Sequence, residues 1–284
     1  MRPVDLHTHS TASDGTYTPA QLIDYAHEKG LAAIALTDHD TTNGLAEAME
    51  QGARYDDLEV IPGIEFSTDY EGKDIHIVGL YMRYDEPDVQ KRLQEFVDSR
   101  VMRNKKMCRL LTEHGVPMDF DELQAAFPDS VITRAHYAAY MLEKGYIKSR
   151  QEAFDRYIGD HCECFVAREK ITPAMAVKMV LDAGGVPILA HPILYGMSDD
   201  KLRTLVKELK DTGLVGIEAI YTTYTAADER QIRKIAEDYD LLISGGSDFH
   251  GDNKPGIDLA VGYGKLFIPE TVLEKIKSAT IFWH

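Results

Sequence analysis

Residues 4–10 read Val-Asp-Leu-His-Thr-His-Ser, an apolar segment that ends in polar side chains. His7 and His9 alternate with Thr8. Because successive side chains of an extended strand point to opposite faces, both imidazoles project from one side and can reach the same ion. Asp14 follows on the adjoining loop. This stretch therefore predicts a β-strand that carries metal ligands at its end.

Six further segments combine β-favouring residues with polar or Gly-rich ends. They are LAAIALTDH (31–39), LEVIPGIEFS (58–67), DIHIVGLY (74–81), GVPILAH (185–191), GLVGIEAI (213–220) and LLISGGSD (241–248). We interpret them as buried parallel strands. Helical stretches lie between many of them, such as the one that begins near Pro19 and ends before Gly30. This alternation predicts an α/β protein whose βα units surround a sheet or barrel.

The central part of the chain lacks the β pattern. From about Pro87 to Cys164 the sequence favours successive helices. We therefore predict a helical insertion domain within a discontinuous α/β domain. The predicted boundaries place the first part of the barrel at 1–84, the insertion at 85–165 and the second part of the barrel at 166–284.

The ends of the predicted strands carry side chains that bind metals, and parallel α/β architectures gather their active sites at such ends. The nine candidate ligands are His7, His9, Asp14, His39, Glu65, His76, His191, Asp248 and His250. Glu65 is the candidate bridge, because a carboxylate can join two cations and reduce their repulsion. Asp38 and Asp40 flank His39, and either could orient its imidazole.

An isolated His or Asp at a strand end is more often a cap, a turn residue or a satisfied polar group than a ligand. In this chain, however, six of the 11 histidines fall in the strand-end motifs. The other five, on predicted helices, loops or the terminus, are His27, His114, His136, His161 and His284. Chance explains this distribution poorly, which favours a shared metal centre.

Imidazole and carboxylate ligands without thiolate suit Mn, Zn or Fe, and the candidates outnumber what one tetrahedral ion requires. We therefore expect two or three divalent ions. Such clusters polarise phosphoryl oxygens, give hydroxide from a bound water near neutral pH, and clamp the oxygens of an in-line displacement. The pattern predicts a metal-dependent phosphoesterase that needs no protein nucleophile, with Asp248 and His191 as candidate catalytic residues.

The formal net charge of -16 argues against a surface that grips nucleic acid through non-specific phosphate contacts. Cys108, Cys162 and Cys164 form no even-numbered framework, which is typical of a reducing compartment. The chain shows neither an apolar signal region near Met1 nor an apolar run long enough to span a bilayer. We expect a cytoplasmic protein with no membrane association and no obligate protein partner.

The motifs DLHTHSTASDGTYTP, ALTDHDTTNG, PGIEFS, IHIVGLY, LAHP and GGSDFH resemble the PHP (polymerase and histidinol phosphatase) domain family. The resemblance covers the whole α/β portion and includes every ligand motif in the family's order. It implies a distorted (β/α)7 barrel, the PHP fold, with a trinuclear metal site. Mn is the metal that the resemblance favours.

The helical part is similar to PHP phosphoesterases that act on nucleoside 3',5'-bisphosphates, some relatives of which trim RNA from the 5' end. This similarity implies removal of the 3'-phosphate from pAp-like compounds, so the expected substrate is a small phosphorylated molecule, a nucleotide, or short RNA. A cationic pocket must hold the second phosphate. Arg134 and His136 are the first candidates for it, followed by Arg100 and Arg103, although each basic residue could equally belong to a solvated helix face.

One stretch departs from these relatives, at residues 159–169, which read GDHCECFVARE. A C-x-C pair with one neighbouring His lacks the paired spacing of a zinc knuckle. We interpret His161, Cys162 and Cys164 as residues beside the cleft that bind no metal.

Two alternatives to the bisphosphate substrate stay open. The first is a PHP phosphoesterase with another substrate, such as a ribose cyclic phosphate, histidinol phosphate or single-stranded RNA. The second is a non-catalytic PHP module that binds a metal or nucleotide for regulation. The second is disfavoured because none of the nine ligand positions holds a non-coordinating residue.

Overall fold

The computed structural model describes residues 2–128, 130–167 and 171–280. Its strands are β1 (Val4–Thr8), β2 (Ala33–Leu36), β3 (Glu59–Tyr70), β4 (Lys73–Leu80), β5 (Val186–Leu189), β6 (Gly216–Tyr221) and β7 (Leu242–Gly246). Its α-helices are α1 (Pro19–Glu28), α2 (Leu45–Gly52), α3 (Pro87–Glu113), α4 (Phe120–Ala126), α5 (Arg134–Glu143), α6 (Arg150–Ala153), α7 (Pro173–Asp182), α8 (Asp199–Thr212), α9 (Ala226–Asp238) and α10 (Glu270–Thr280). His284 and the end of the GDHCECFVARE stretch lie outside the described residues.

The seven strands form one sheet in chain order. Its two edges meet where Thr8 and Phe249 form a parallel bridge. Next to this bridge the His9 N–H donates to the Phe249 carbonyl at 3.0 Å, and the Asp248 N–H donates to the His7 carbonyl at 2.9 Å. The sheet is therefore a nearly closed barrel, which confirms the predicted α/β class and the distorted seven-stranded barrel.

The prediction that every strand is parallel is wrong for β4. This strand pairs antiparallel with both β3 and β5, whereas the remaining neighbours pair parallel. The cause is the turn after β3, where Glu71 and Gly72 have φ values of 53° and 79°. Two consecutive residues with positive φ make a tight hairpin turn, so β4 returns along β3. The beginning of β4 consequently lies at the end of the barrel where the parallel strands finish.

Buried apolar side chains from six strands form one cluster, which fills the barrel. Its strand members are Val4, Leu6, Ala33, Ala35, Ile61, Val78, Leu80, Val186, Ile188 and Ile220. Ile268 before α10, and Leu273 and Ile276 within it, belong to the same cluster, and the Ile268 carbonyl accepts from the Val4 N–H at 3.0 Å. The end of the barrel where β1 begins is therefore closed by apolar contacts, and the buried polar side chains collect at the other end.

Helix α3 contacts two separate apolar clusters. Near its start, Val89, Leu93 and Phe96 pack with side chains of β3, β4 and the surrounding helices. Near its end, Met107 and Leu111 pack with α4, α5 and the segment up to residue 166. The apolar packing thus divides within α3. The predicted domain boundaries at residues 84 and 165 stay a prediction.

Between these two clusters, an ion pair fastens α3 to the barrel. The Arg100 Nε donates to Asp40 Oδ2 at 2.7 Å, and its Nη2 contacts the same oxygen and donates to Ser67 Oγ at 2.7 Å. Arg100 is 3% exposed and Asp40 is fully buried. Removal of one partner from a buried ion pair is costly because the other charge keeps its desolvation penalty.

We expect Arg100→Met to lower the free energy of unfolding by about 3 to 5 kcal/mol, because the cation that neutralises Asp40 is lost. The measurement is urea unfolding monitored by circular dichroism. Arg92→Met is the matched control on the same helix, since Arg92 pairs with Asp182 and both side chains are about half exposed. The control should change the stability by less than about 1 kcal/mol. Equal effects of the two substitutions would contradict the stabilising role of the Arg100 pair.

Candidate metal centre

The closure of the barrel places β1 beside β7, so candidate ligands from the first and last strands meet at one site. His7 and His9 have ring centroids 5.2 Å apart, and the His9 ring stacks on that of His250 at 4.0 Å. The Asp248 Oδ1 lies 3.3 Å from His9 Nε2 and 3.8 Å from His7 Nε2. The alternation seen in the sequence therefore does place the two β1 histidines beside each other, next to the residues that follow β7.

Glu65 lies at the centre of this site and is 1% exposed. Five imidazole nitrogens lie between 2.8 and 3.2 Å from its carboxylate oxygens. They belong to His7, His9 and His39 around Oε2, and to His76 and His191 around Oε1. Because the two oxygens face different groups of histidines, the geometry of Glu65 suits a bridge between two ions.

Four overlapping groups of side chains could each hold an ion, since their ligand atoms lie within 4.8 Å of one another. The groups are His9, Asp14, His39 and His250; His7, Glu65 and His191; His7, His9 and Asp248; and His39, Glu65 and His76. The structure thus brings all nine predicted ligands into one continuous cluster. Their assignment as ligands stays a prediction.

Several buried ligand atoms in this cluster make no hydrogen bond with the described residues, and a bound metal ion would satisfy such atoms. The atoms are His7 Nε2, His9 Nε2, His39 Nδ1, Glu65 Oε2 and His191 Nδ1. Buried polar atoms nearly always have a hydrogen-bond partner, so five atoms without one in a single cluster are unusual unless ions bind there. Divalent cations would satisfy Glu65 Oε2 and the three imidazole nitrogens around it, and the donor set of imidazoles and carboxylates suits transition metals. The residues present therefore fit a metal centre.

His76 reaches the cluster only because β4 runs antiparallel. It is the fourth residue of the strand, and its Nδ1 lies 2.8 Å from Glu65 Oε1.

The backbone has an unusual conformation at three other positions of the site. Asp40, His191 and Asp248 are non-glycine residues with φ values of 51°, 26° and 56°. Such conformations cost free energy and concentrate at functional sites, where the surrounding structure enforces them.

A cavity of about 450 Å³ opens onto the cluster, and its lining includes Asp14, His39, His76 and His250. The helical segment between β4 and α7 contributes the other wall. Three of the four predicted substrate contacts, Arg100, Arg103 and Arg134, are part of that wall. The cavity therefore joins the candidate ligands to a cationic surface.

Comparison with known proteins agrees with this geometry. The chain matches the PHP domain family over residues 5–157. It belongs to the PHP family. Its sequence is 37% identical to a 5'-3' exoribonuclease of Haemophilus influenzae, over 87% of this chain and 89% of the relative. It is 32% identical to a 3',5'-nucleoside bisphosphate phosphatase of Chromobacterium violaceum, over 91% of each protein.

A solved structure matches nearly the whole chain. This protein of Bifidobacterium adolescentis is described as a metal-dependent phosphoesterase and superposes with a TM-score of 0.83 at 26% identity, over 98% of this chain and 97% of its own. The family and these relatives confirm the prediction that this PHP protein is a hydrolase that cleaves phosphate esters. Among the described residues, no helix is long and apolar enough to cross a membrane.

Glu218 contacts two of the candidate ligands, and the sequence did not reveal it. Its Oε1 lies 3.2 Å from His7 Nδ1, and its Oε2 accepts from the His191 N–H at 2.7 Å. The carboxylate thus holds one candidate ligand by its outer nitrogen and another by its backbone, as outer partners of metal-binding histidines do. A single acidic residue in the otherwise apolar strand GIEAIY was the available signal.

Asp248 also has two partners that the sequence did not reveal. Its Oδ2 accepts from the Tyr221 hydroxyl and from the Lys254 ammonium, each at 2.5 Å. Its Oδ1 faces His7 and His9. The carboxylate is therefore oriented so that only one oxygen is directed at the cluster. Lys254 lies on an irregular loop whose sequence carries no recognisable signal.

Neither Asp38 nor Asp40 accepts a described hydrogen bond from His39, so the prediction that one of them orients this imidazole is wrong. Asp38 accepts from Ser10 and Ser13, and so shapes the loop that carries Asp14. Asp40 pairs with Arg100. Both carboxylates find donors that are distant in sequence, which adjacency to His39 could not indicate.

The four predicted substrate contacts differ in their surroundings, and their role stays a prediction. His136 does not line the cavity, because its Nδ1 accepts the Thr133 N–H at 3.0 Å and caps α5. Burial lowers the pKa of His136 to about 4, so its neutral ring is a poor partner for an anion. Arg100 lines the cavity, but Asp40 already occupies its guanidinium.

The charges within the cluster are strongly coupled. Although burial opposes ionisation of Glu65, the nearby His7, His76 and His39 hold the pKa of its carboxyl well below the usual range. Burial also opposes protonation of His9, but the carboxylates of Asp248 and Glu65 raise its pKa to about 9. The carboxylate of Glu65 is thus ready to ligate a cation, and a proton on His9 would compete with a cation for the same imidazole nitrogen.

We expect Glu218→Gln to weaken Mn²⁺ binding by about 10- to 100-fold, because the neutral amide no longer fixes the His7 ring as a carboxylate does. Isothermal titration of the metal-depleted protein with Mn²⁺ measures this change. Glu208→Gln is the control, since the Glu208 carboxylate lies on the exposed surface, outside the cluster, and accepts from the Tyr70 hydroxyl. An unchanged affinity in Glu218→Gln would refute the orienting role.

Proposed function

We propose that this PHP enzyme removes the 3'-phosphate of nucleoside 3',5'-bisphosphates, converting pAp to AMP and inorganic phosphate. The observation that carries the proposal is the cavity, whose lining joins four members of the cluster of nine candidate metal ligands to a cationic wall of arginines. A substrate with two phosphates needs both features. The Chromobacterium violaceum relative, named for this activity, gives further support.

Two or three divalent ions, with Mn²⁺ as our choice, would be held by the nine candidate ligands. When bound, such ions polarise phosphoryl oxygens and acidify a coordinated water. Glu65 would hold neighbouring ions together through its two oxygens. Asp248 would present Oδ1 to the centre while Tyr221 and Lys254 retain Oδ2. Glu218 fixes the backbone of His191. The His191 side chain would complete the centre at Glu65 Oε1, whereas His39 lies at Oε2.

Arg103 is the best candidate for the second phosphate. It is 6% exposed, lines the cavity, and its Nε has no hydrogen-bond partner among the described residues. Burial and the charge of the neighbouring Arg100 lower the pKa of Arg103 to about 9. A bound phosphate would satisfy the orphan Nε and stabilise the charged guanidinium.

Arg134 has a different arrangement. Its Nη2 donates to Asp74 at 2.8 Å, and its Nη1 contacts Asp160. Two carboxylates already neutralise this guanidinium, so Arg134 would contribute shape and orientation more than net charge. Asp74 in turn lies 3.5 Å from His76 Nε2, which connects the cationic wall to the candidate ligands.

We expect His9→Ala to reduce phosphate release from pAp in the presence of Mn²⁺ to the level of the chelator-treated enzyme. The reason is that His9 belongs to two of the four candidate metal groups. A colorimetric phosphate assay measures the reaction. The control is His27→Ala, because His27 lies on α1 and stacks on Tyr55 outside the cluster. Robust turnover by metal-depleted His9→Ala would overturn the mechanism.

We expect Arg103→Gln to lower kcat/KM for pAp by about 10- to 100-fold, the loss of one charge-assisted hydrogen bond of about 1.5 to 3 kcal/mol. Turnover of a 3'-nucleotide without a 5'-phosphate should change little, since that substrate has no second anion. Steady-state kinetics with both substrates measures the difference. Arg109→Gln, at an exposed position of the same helix, should leave both reactions unchanged. Equal losses for the two substrates would contradict this role of Arg103.

A second candidate activity is 5'-to-3' trimming of short RNA, supported by the 37% identity to the Haemophilus influenzae exoribonuclease. Both activities would use the same centre. A panel of pAp, short 5'-phosphorylated RNA, a ribose cyclic phosphate and histidinol phosphate, assayed side by side, ranks them. If pAp were among the poorest substrates, the bisphosphate proposal would fall.

A further inference from the structure

We propose that Phe154, with Ala135 beside it, forms a platform on which a nucleobase of the substrate stacks. This inference rests on the proposed function and deepens it, because it assigns the part of the cavity that neither the metal centre nor the phosphate contacts use. The ligand class is a planar heteroaromatic ring attached to a phosphorylated sugar.

The apolar lining of the cavity is confined to one side. Every lining residue from the barrel and its loops is polar or charged, whereas the three apolar ones, Phe154, Ala135 and Ala138, come from the helical segment. The two alanines are three positions apart on α5, so their methyl groups lie on one helix face. Ala138 is fully buried, so the accessible apolar surface beside the helix is that of Ala135, and Phe154 adds an aromatic surface.

The backbone around Phe154 is specialised. Phe154 begins a π-helical turn, Phe154–Ile158, directly after α6. Its carbonyl oxygen accepts from the Cys162 Sγ at 3.3 Å. A Cβ atom at Gly159 would come within 2.2 Å of the same oxygen, so only glycine permits this close return of the chain. Such π-turns are rare and often occur at functional sites.

Short steps connect the ring to the metal centre. The Arg134 Cζ lies 6.0 Å from the Phe154 ring centroid, and its Nη2 lies 2.8 Å from Asp74. Asp74 lies 3.5 Å from His76. Two side chains thus separate the candidate ligands from the aromatic ring, as a sugar separates the phosphate from the base in a nucleotide. A nucleotide with its phosphate at the cluster could therefore extend to Phe154.

Aromatic stacking suits a substrate whose base is not specified, because every base has a π-face. The rival explanation is a structural one, since Phe154 also packs against the apolar cluster of the helical segment. Phe165 provides the matched control for that explanation. Its ring lies 5.2 Å from the same Arg134 Cζ, yet it is not part of the cavity lining.

The test compares Phe154→Leu, Phe154→Tyr and Phe165→Leu in the full-length, Mn²⁺-loaded enzyme. Substrates are pAp and the base-free ribose 3,5-bisphosphate. We expect Phe154→Leu to lower kcat/KM for pAp by about 10-fold, within the 1 to 3 kcal/mol of one base–aromatic stack, and to leave the base-free substrate unchanged. Phe154→Tyr should retain the wild-type ratio of the two substrates, and Phe165→Leu should not alter it. Equal losses for both substrates in Phe154→Leu would overturn the platform.

Calorimetric binding of AMP and of ribose 5-phosphate separates this inference from the proposed reaction. If the wild-type enzyme hydrolyses no bisphosphate but Phe154→Leu binds AMP about 10-fold more weakly, with ribose 5-phosphate binding unchanged, the platform stands and the proposed function fails. If Phe154→Leu binds AMP as tightly as the wild type does, the platform is refuted whatever the catalytic result.

Discussion

The buried carboxylate of Glu65 is the interaction on which the rest of the site depends. It is 1% exposed and is surrounded by imidazoles from β1, β4 and the loops after β2 and β5. A charge removed from water in this way requires compensating charges or a cation. The barrel meets this requirement by converging distant segments at one end, while apolar side chains fill the remainder of its interior.

The orphan ligand atoms give the cluster an energetic meaning as well as a chemical one. Five buried ligand atoms at one place have no hydrogen-bond partner among the described residues, and such atoms lower the stability of a fold. An ion that binds the folded state and satisfies them adds its binding free energy to the stability of the fold. Metal binding and folding of this PHP domain are therefore expected to be coupled.

The helical segment covers the barrel and also forms hydrogen bonds with the loops that carry candidate ligands. Arg100 binds Asp40, the neighbour of His39, and the Thr133 hydroxyl donates to Asp14 Oδ2 at 2.8 Å. The same contacts therefore hold both the helices that we assign to substrate recognition and the loops of the candidate metal centre. Under the proposed function, reactivity would lie at the barrel end, and substrate choice would lie on helices α3 and α5 and the turn at Phe154.

Local sequence determined the α/β class and the nine candidate ligands, because strand-end motifs such as DLHTHS and GGSDFH are readable without knowledge of their neighbours. The family resemblance supplied the number of strands. The tertiary structure alone decided which polar residues pair, since Asp40 with Arg100 and His7 with Glu218 join positions that are far apart in the chain. The direction of β4 depended on two positive φ angles in one turn. Burial and charge pairing are properties of the assembled fold. For this reason the sequence identified the candidate metal ligands but could not separate Arg103, whose Nε has no hydrogen-bond partner among the described residues, from His136, which caps a helix.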